Sequence, residues 1–196
     1  MVVMAETFRI HDSVQEAARR VRSITERLIA LEDGQTISSQ VLEALASIEE
    51  SLPNQDSSNR LWNNGHALLN RSPVTGVSNP LAPPLELIDT EEVQTIAHVT
   101  PGIPYQGPPG RLHGGFVAVF LDHVMGIAAS KASDSEGAYT RSLTVEYKDA
   151  TPLNKELEIG ATLERKDGRK LWMTGWINSE GQQKVTASGL WIEIPR

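Results

Sequence analysis

The feature that most constrains this chain is the unbroken apolar run from Phe116 to Ala129, reached through the loop Gly107-Pro108-Pro109-Gly110. Prolines and glycines at that density break regular structure, and the run behind them has helical length and strong helix formers. The sequence therefore predicts a long helix ending near residues 130 to 135, with His113-Gly114-Gly115 at its entrance and Asp122 as the one carboxylate of its first turns. The first N–H groups of a helix lack internal partners and carry the positive end of its dipole. Glycines there let a substrate oxygen approach the backbone, because no Cβ intervenes. A helix N-terminus with one buried acid nearby suits attack on a carbonyl.

Around this helix the pattern changes to that of strands. Leu85 to Asp89 and Val93 to Val99 flank a Thr-Glu-Glu turn, as a hairpin would. After the helix, Tyr139 to Tyr147 and Glu156 to Glu164 alternate apolar and polar residues. Asp167-Gly168 and Glu180-Gly181 are hairpin signals that lead into Lys170 to Asn178 and Lys184 to Ile194. The order β-β-α-β-β-β-β, with one long helix and an antiparallel sheet, predicts an α+β layer fold.

The N-terminal third reads differently. Val14, Ala17, Ala18, Val21, Ile24, Leu28 and Leu31 recur at helical spacing, and Ile37, Val41, Leu42, Leu45 and Ile48 repeat the pattern before Pro53. These predict two amphipathic helices joined as a hairpin by a turn at Asp33-Gly34. A DNA-binding helix-turn-helix is disfavoured, since four arginines face eight acids between His11 and Ser51. A packing or oligomerisation arm fits better. Asn54 to Asn64 reads as a linker, Leu61, Trp62, Leu68 and Leu69 as a short docking piece, and residues 72–84, with four prolines, as extended ordered chain. The expected division is a helical hairpin and linker over 1–71, followed by one domain over 72–196.

Composition removes several classes of function. A net charge of −7 argues against general binding to nucleic acid or anionic membrane. With no cysteine, thiol nucleophiles, disulfides and Cys-ligated metals are excluded. The five histidines show no ligand spacing near an acid, so no metal or other cofactor is expected. The N-terminus lacks a secretory pattern and His113 to Leu121 is too short to span a bilayer, which makes the expected protein soluble and cytoplasmic.

His113-Gly114-Gly115, with Asp122 nine residues after the histidine, resembles the hotdog-fold acyl-CoA thioesterases, in the branch of the phenylacetate-degradation enzymes. Tyr105-Gln106-Gly107-Pro108-Pro109-Gly110, Leu143-Thr144-Val145-Glu146-Tyr147 and Asp167-Gly168-Arg169-Lys170 are similar to the mitochondrial members of that group. The resemblance covers about Ser72 to Ile194 and implies a sheet wrapped around one central helix, with the helical arm as an addition. It implies an acyl-CoA substrate, hydrolysis to free acid and coenzyme A, and an active site shared across a homodimer or a dimer of dimers.

By that resemblance Gly114, with His113 and Gly115, polarises the thioester carbonyl, and Asp122 of the other subunit acts as general base or nucleophile. Thr140 corresponds to a Ser/Thr that holds water or the acid, and Gln106, Arg169 and Lys170 are assigned to substrate binding. Many relatives have an asparagine six residues before the histidine, where this chain has Gly107.

The residues themselves support part of this. Asp122 has Ala118, Val119, Met125 and Gly126 as helix neighbours, so its carboxylate is partly desolvated and a better base for it. His113 reads as a cap or loop partner with no proton transfer of its own, and His123 as packing or surface. Thr140 falls on the opposite strand face from Leu143 and Val145, and reaches the site only through a bend or bulge. Arg165, Lys166, Arg169 and Lys170 offer phosphate ligands for coenzyme A, or merely a solvated turn. The rival reading is a non-catalytic acyl-CoA-binding or scaffold protein.

Overall fold

The structure is a computed structural model of the 196-residue chain, describing residues 12–53, 70–83, 85–88 and 94–194. Two helices, α1 (Asp12–Ile29) and α2 (Ser39–Ser51), form where the apolar spacing puts them. Gly34, with φ +89°, takes the left-handed turn between them. Ser38 caps α2 by accepting the Val41 N–H. Among the described residues α1 buries Ala18 and α2 buries none. Rather than α2, α1 has the 3-10 turn Ile103–Tyr105 as its described packing partner, and Arg22 Nη1 donates to the Asn79 carbonyl at 2.9 Å.

Residues 72–83 are ordered, as expected, but they turn repeatedly instead of extending. Gly76 N–H bonds to Ser72 O, Asn79 N–H to Gly76 O and Ala82 N–H to Asn79 O, at 3.0, 2.9 and 3.1 Å. Pro73 and Pro80 bring preset φ angles suited to such turns. The docking piece expected around Leu61, Trp62, Leu68 and Leu69 and the Thr90-Glu91-Glu92 turn lie outside the described residues.

The body is one six-stranded sheet and the long helix α3 (Gly114–Ala132). The strands β1 (Glu86–Ile88), β2 (Thr95–Val99), β3 (Ala138–Tyr147), β4 (Leu157–Asp167), β5 (Lys170–Ser179) and β6 (Gln182–Glu193) lie in the order β1-β2-β4-β5-β6-β3. All neighbouring pairs are antiparallel. This is the α+β hotdog arrangement, a sheet curled around a central helix. Glu180 and Gly181, with φ +51° and +74°, make the tight β5–β6 hairpin that their sequence announces.

Along α3, Val117, Phe120, Leu121, Val124, Met125, Ala128 and Ala129 are buried, a single face at three- and four-residue spacing. Leu171, Met173 and Ile177 of β5 and Leu157, Ile159 and Ala161 of β4 join them in the core. Gly175 lies directly against Met125, where a Cβ would come within 2.8 Å of Met125 Sδ and make that side chain shift. At 19 residues α3 is the one described helix long and apolar enough to cross a membrane, longer than the uncharged run alone suggested. In the fold its apolar face is occupied by the sheet, as in the core helix of a globular protein. Truncating Phe120, which is wholly buried, would cost about 3–5 kcal/mol of stability.

Candidate active site

The entrance to α3 is held from several sides. His113 N–H donates to Tyr105 O and Leu112 N–H to Thr151 O, each at 2.9 Å. Phe116 sets its edge against Tyr105, with ring centroids 5.0 Å apart. His113 is the N-cap residue, with φ −64° and ψ 134°, and its Nδ1 accepts the Gly115 N–H at 2.9 Å. Accepting at Nδ1 puts the ring proton of the neutral imidazole on Nε2. The histidine is thus a cap, as its position suggested. One expected donor is correspondingly committed: the Gly115 amide is used inside the protein. Gly114 N–H has no acceptor among the described residues, which leaves it as the open donor of this helix end.

Tyr147, which the sequence places at the end of an alternating strand and in the Leu143–Tyr147 stretch of the resemblance without giving it a role, turns out to brace this entrance. Its hydroxyl donates to Gly114 O at 2.9 Å, and its ring lies beside Gly114. Gly107 has a steric reason to lack a side chain, because a Cβ there would lie 2.9 Å from His113 Cα. Gln106 stands on the same loop, pairing with Leu112 in an isolated bridge, and its Oε1 accepts Gly110 N–H at 3.1 Å.

Asp122 is half-buried two turns further along α3. Its Oδ1 accepts a hydrogen bond from Thr140 Oγ1 at 2.9 Å. Plain alternation would point Thr140 away, but the β3–β6 register shifts between Thr140 and Ser142. Thr140 pairs with Trp191 and Leu143 with Gly189, two partners of the same parity, so the bulge at Arg141 returns Thr140 to the helix-facing side. The carboxylate stands between two clefts of about 450 and 680 Å³, the first walled by Pro73, Val74, Val119 and Leu143, the second by Gly126, Tyr139 and Trp191. His123 lines both of these clefts beside Asp122: its Nε2 meets Thr75 Oγ1 at 3.1 Å, and burial pushes its pKa down against the opposing pull of Asp122. That polar contact holds its ring.

The helix entrance and the acid do not meet within this chain. Eight residues of helix separate Gly114 from Asp122, roughly 12 Å along the axis. The basic hairpin is further off, at the other end of α3, where Lys166 Nζ reaches Ala132 O at 3.3 Å. Arg169 spends Nε and Nη2 on the Glu193 carbonyl, at 3.1 and 2.7 Å, and Lys166 pairs with Glu193 and Asp134. Arg165 lies over the Trp172 ring, 3.7 Å from its centroid, while Lys170 is exposed. Gln106, Arg169 and Lys170 are therefore not brought together within this chain. No group of three or more His, Asp or Glu among the described residues could hold a metal ion.

With this geometry in view, the likeness to known proteins is informative. A solved thioesterase superfamily protein is 35% identical and superposes with a TM-score of 0.78, covering 92% of this chain and 90% of that one. The chain belongs to the thioesterase superfamily. The thioesterase superfamily model matches residues 109–186, which run from the entrance loop of α3 to β6. Human acyl-coenzyme A thioesterase THEM5 is 32% identical over 96 residues, 48% of this chain and 38% of that protein. This thioesterase-superfamily chain thus matches less than half the length of such curated relatives. A Streptococcus mutans protein solved bound to acetyl CoA shares the fold at 15% identity and a TM-score of 0.52, over 57% of this chain and 90% of its own.

Proposed function

We propose that this chain is an acyl-CoA thioesterase whose active site is completed by a second copy of itself. The observation that carries the reading is the Thr140–Asp122 hydrogen bond, a polar pair aimed into a cleft on an otherwise apolar helix. A thioester carbonyl oxygen would accept from Gly114 N–H at the helix end of one subunit, and Asp122 of the other would serve as general base. With Oδ1 taking the Thr140 proton, Oδ2 is left to face water. The water oxygen bonds to the carbonyl carbon and gives its proton to Asp122. Collapse of the adduct breaks the C–S bond, and coenzyme A leaves with that proton, so acid and thiol are the products.

The need for two copies follows from the 12 Å or so between the donor and the acid. No carbonyl carbon reaches both in one subunit, whereas two α3 helices running antiparallel would pair each entrance with the other's acid. The ten-residue edge strand β3, largely exposed, is a surface on which a second copy could continue the sheet. A homodimer, or a dimer of dimers, is the assembly proposed, with residues 1–71 as a helical arm ahead of the domain at 72–196. The name of the human relative and the acetyl CoA in the S. mutans structure support the substrate class. Thiol release from acyl-CoAs by parent and Asp122→Asn protein tests the proposal. Loss of turnover with retained binding supports it; binding without turnover in the parent would make this an acyl-CoA-binding protein instead.

A further inference from the structure

α1 spans a gap. An amphipathic helix usually closes its apolar face onto the body, yet here only Ala18 is buried, while Val21 and Ile29 remain 45% and 48% exposed. Beneath the helix lies a cavity of about 800 Å³, walled on the other side by Val74, Leu81, Tyr105 and Phe116. That is within the roughly 300–1,000 Å³ of small-molecule sites. The helix is held off by fixed polar contacts at its margin: Arg22 Nη1 on Asn79 O, and Asn79 Nδ2 in turn on Arg71 O at 3.0 Å. The helix lines the cavity with Val21, Arg22, Glu26 and Ile29, and among them stand the two small residues Ser23 and Thr25.

The cavity adjoins the cleft at Asp122. Pro73, Val74 and Val119 line both. Val119 stands one helical turn before Asp122, and Phe116 nearly another turn before that, so the two spaces lie side by side along α3 between the acid and α1. The walls of both are mainly apolar, with Asp122 and His123 at one end and Arg19, Arg22 and Glu26 of α1 at the other.

We infer that α1 is the outer wall of the acyl-chain pocket, and that this space takes the tail of a medium- or long-chain acyl group whose thioester sits at Asp122. The inference rests on the thioesterase reading of that site. It makes the helical arm a determinant of chain length: its Ser23–Thr25 stretch is the roof under which methylenes are removed from water. Other occupants match the space less well. The cavity shares three wall residues with the cleft of the proposed catalytic acid, a placement that an acyl tail uses and a protein partner does not need.

Chain-length profiles test it. kcat/KM is measured for acetyl-, butyryl-, octanoyl- and palmitoyl-CoA with the parent, with Ser23→Trp and with Thr25→Trp. Each tryptophan should raise KM for octanoyl- and palmitoyl-CoA by about tenfold or more, while hydrolysis of acetyl-CoA stays within about twofold. Retained acetyl-CoA turnover also shows that each variant is folded. Ser23→Leu, a smaller filling, should give an intermediate profile. Profiles that match the parent for every chain overturn the pocket and leave the thioesterase standing. A parent that hydrolyses none of the four overturns the thioesterase. The cavity is then decided by calorimetry with palmitoyl-CoA, where equal binding by parent and Ser23→Trp, or none by either, refutes it.

Discussion

Thr140 Oγ1 donates to Asp122 Oδ1 at 2.9 Å, tying the edge strand of the sheet to the middle of its central helix. The pair defines which carboxylate oxygen is occupied and which is open. Asp122→Asn should lower kcat by about 10²–10⁴-fold, as removal of a general base does. Thr140→Val should lower it by about tenfold through loss of one charge-assisted bond, and Thr140→Ser should retain most of the activity. Steady-state thiol release measures all three, and a Thr140→Val enzyme as fast as the parent would sever the pair from catalysis.

Gly114→Pro offers an unusually clean deletion of a donor. Proline is well tolerated at the first position of a helix, and the residue before it must be extended, as His113 is at ψ 134°. Melting temperature should stay near that of the parent while kcat falls about 10²-fold. Co-expression of Gly114→Pro with Asp122→Asn then tests the shared site. In a two-fold dimer one of the two sites receives both defects and the other receives neither. Mixed dimers purified by two affinity tags should recover about half the parent activity per dimer. Mixed dimers as dead as either pure variant would place donor and acid in the same subunit's site.

His113→Ala should act first on stability. It strips the cap from Gly115 N–H, a loss worth about 0.5–2 kcal/mol, and denaturant titration should show the midpoint falling. His113→Asn, which can still accept from the amide, should restore the midpoint. An Asn variant as unstable as the Ala variant would mean that the ring's edge contact with Phe116, not the cap, does the holding.

The far end of α3 carries an acid-sensitive lock. Glu193 is buried, and the Lys166 ammonium bonded to it at 2.7 Å holds its carboxyl below the usual range, helped by the Asp134 N–H. A depressed carboxyl contributes stability that is present above its unfolded pKa and lost as pH falls through the folded one. Melting temperature should therefore decline below about pH 4.5 more steeply in the parent than in Glu193→Gln, which starts lower at neutral pH. Parallel declines in the two proteins would exclude Glu193 from acid unfolding.

Much of this molecule is readable along the chain. The apolar run at Phe116–Ala129 and the four strand patterns behind it locate α3 and the sheet, because burial against one face imposes periods that composition reveals. The candidate site was legible at His113, Gly114 and Asp122 for a similar reason: a breaker, a helix start and a lone acid are local features. Thr140 comes from the family resemblance, with its direction conditional on a bend or bulge, since that direction depends on one extra residue, Arg141, in the β3–β6 ladder, and a bulge has no signature in alternation. Tyr147 was missed because its partner, Gly114 O, is 33 positions away. The amphipathic pattern of α1 showed which face is apolar but not what that face would meet.

Gly107 also sets a limit on change at this entrance. A Cβ at this position would lie 2.9 Å from His113 Cα, so a lone substitution by asparagine lands on a backbone that has no room for it. The loop would have to widen first, and widening disturbs the cap at His113 that both the helix and the open Gly114 amide depend on. A side chain can therefore enter this position only together with a second change that re-spaces the loop.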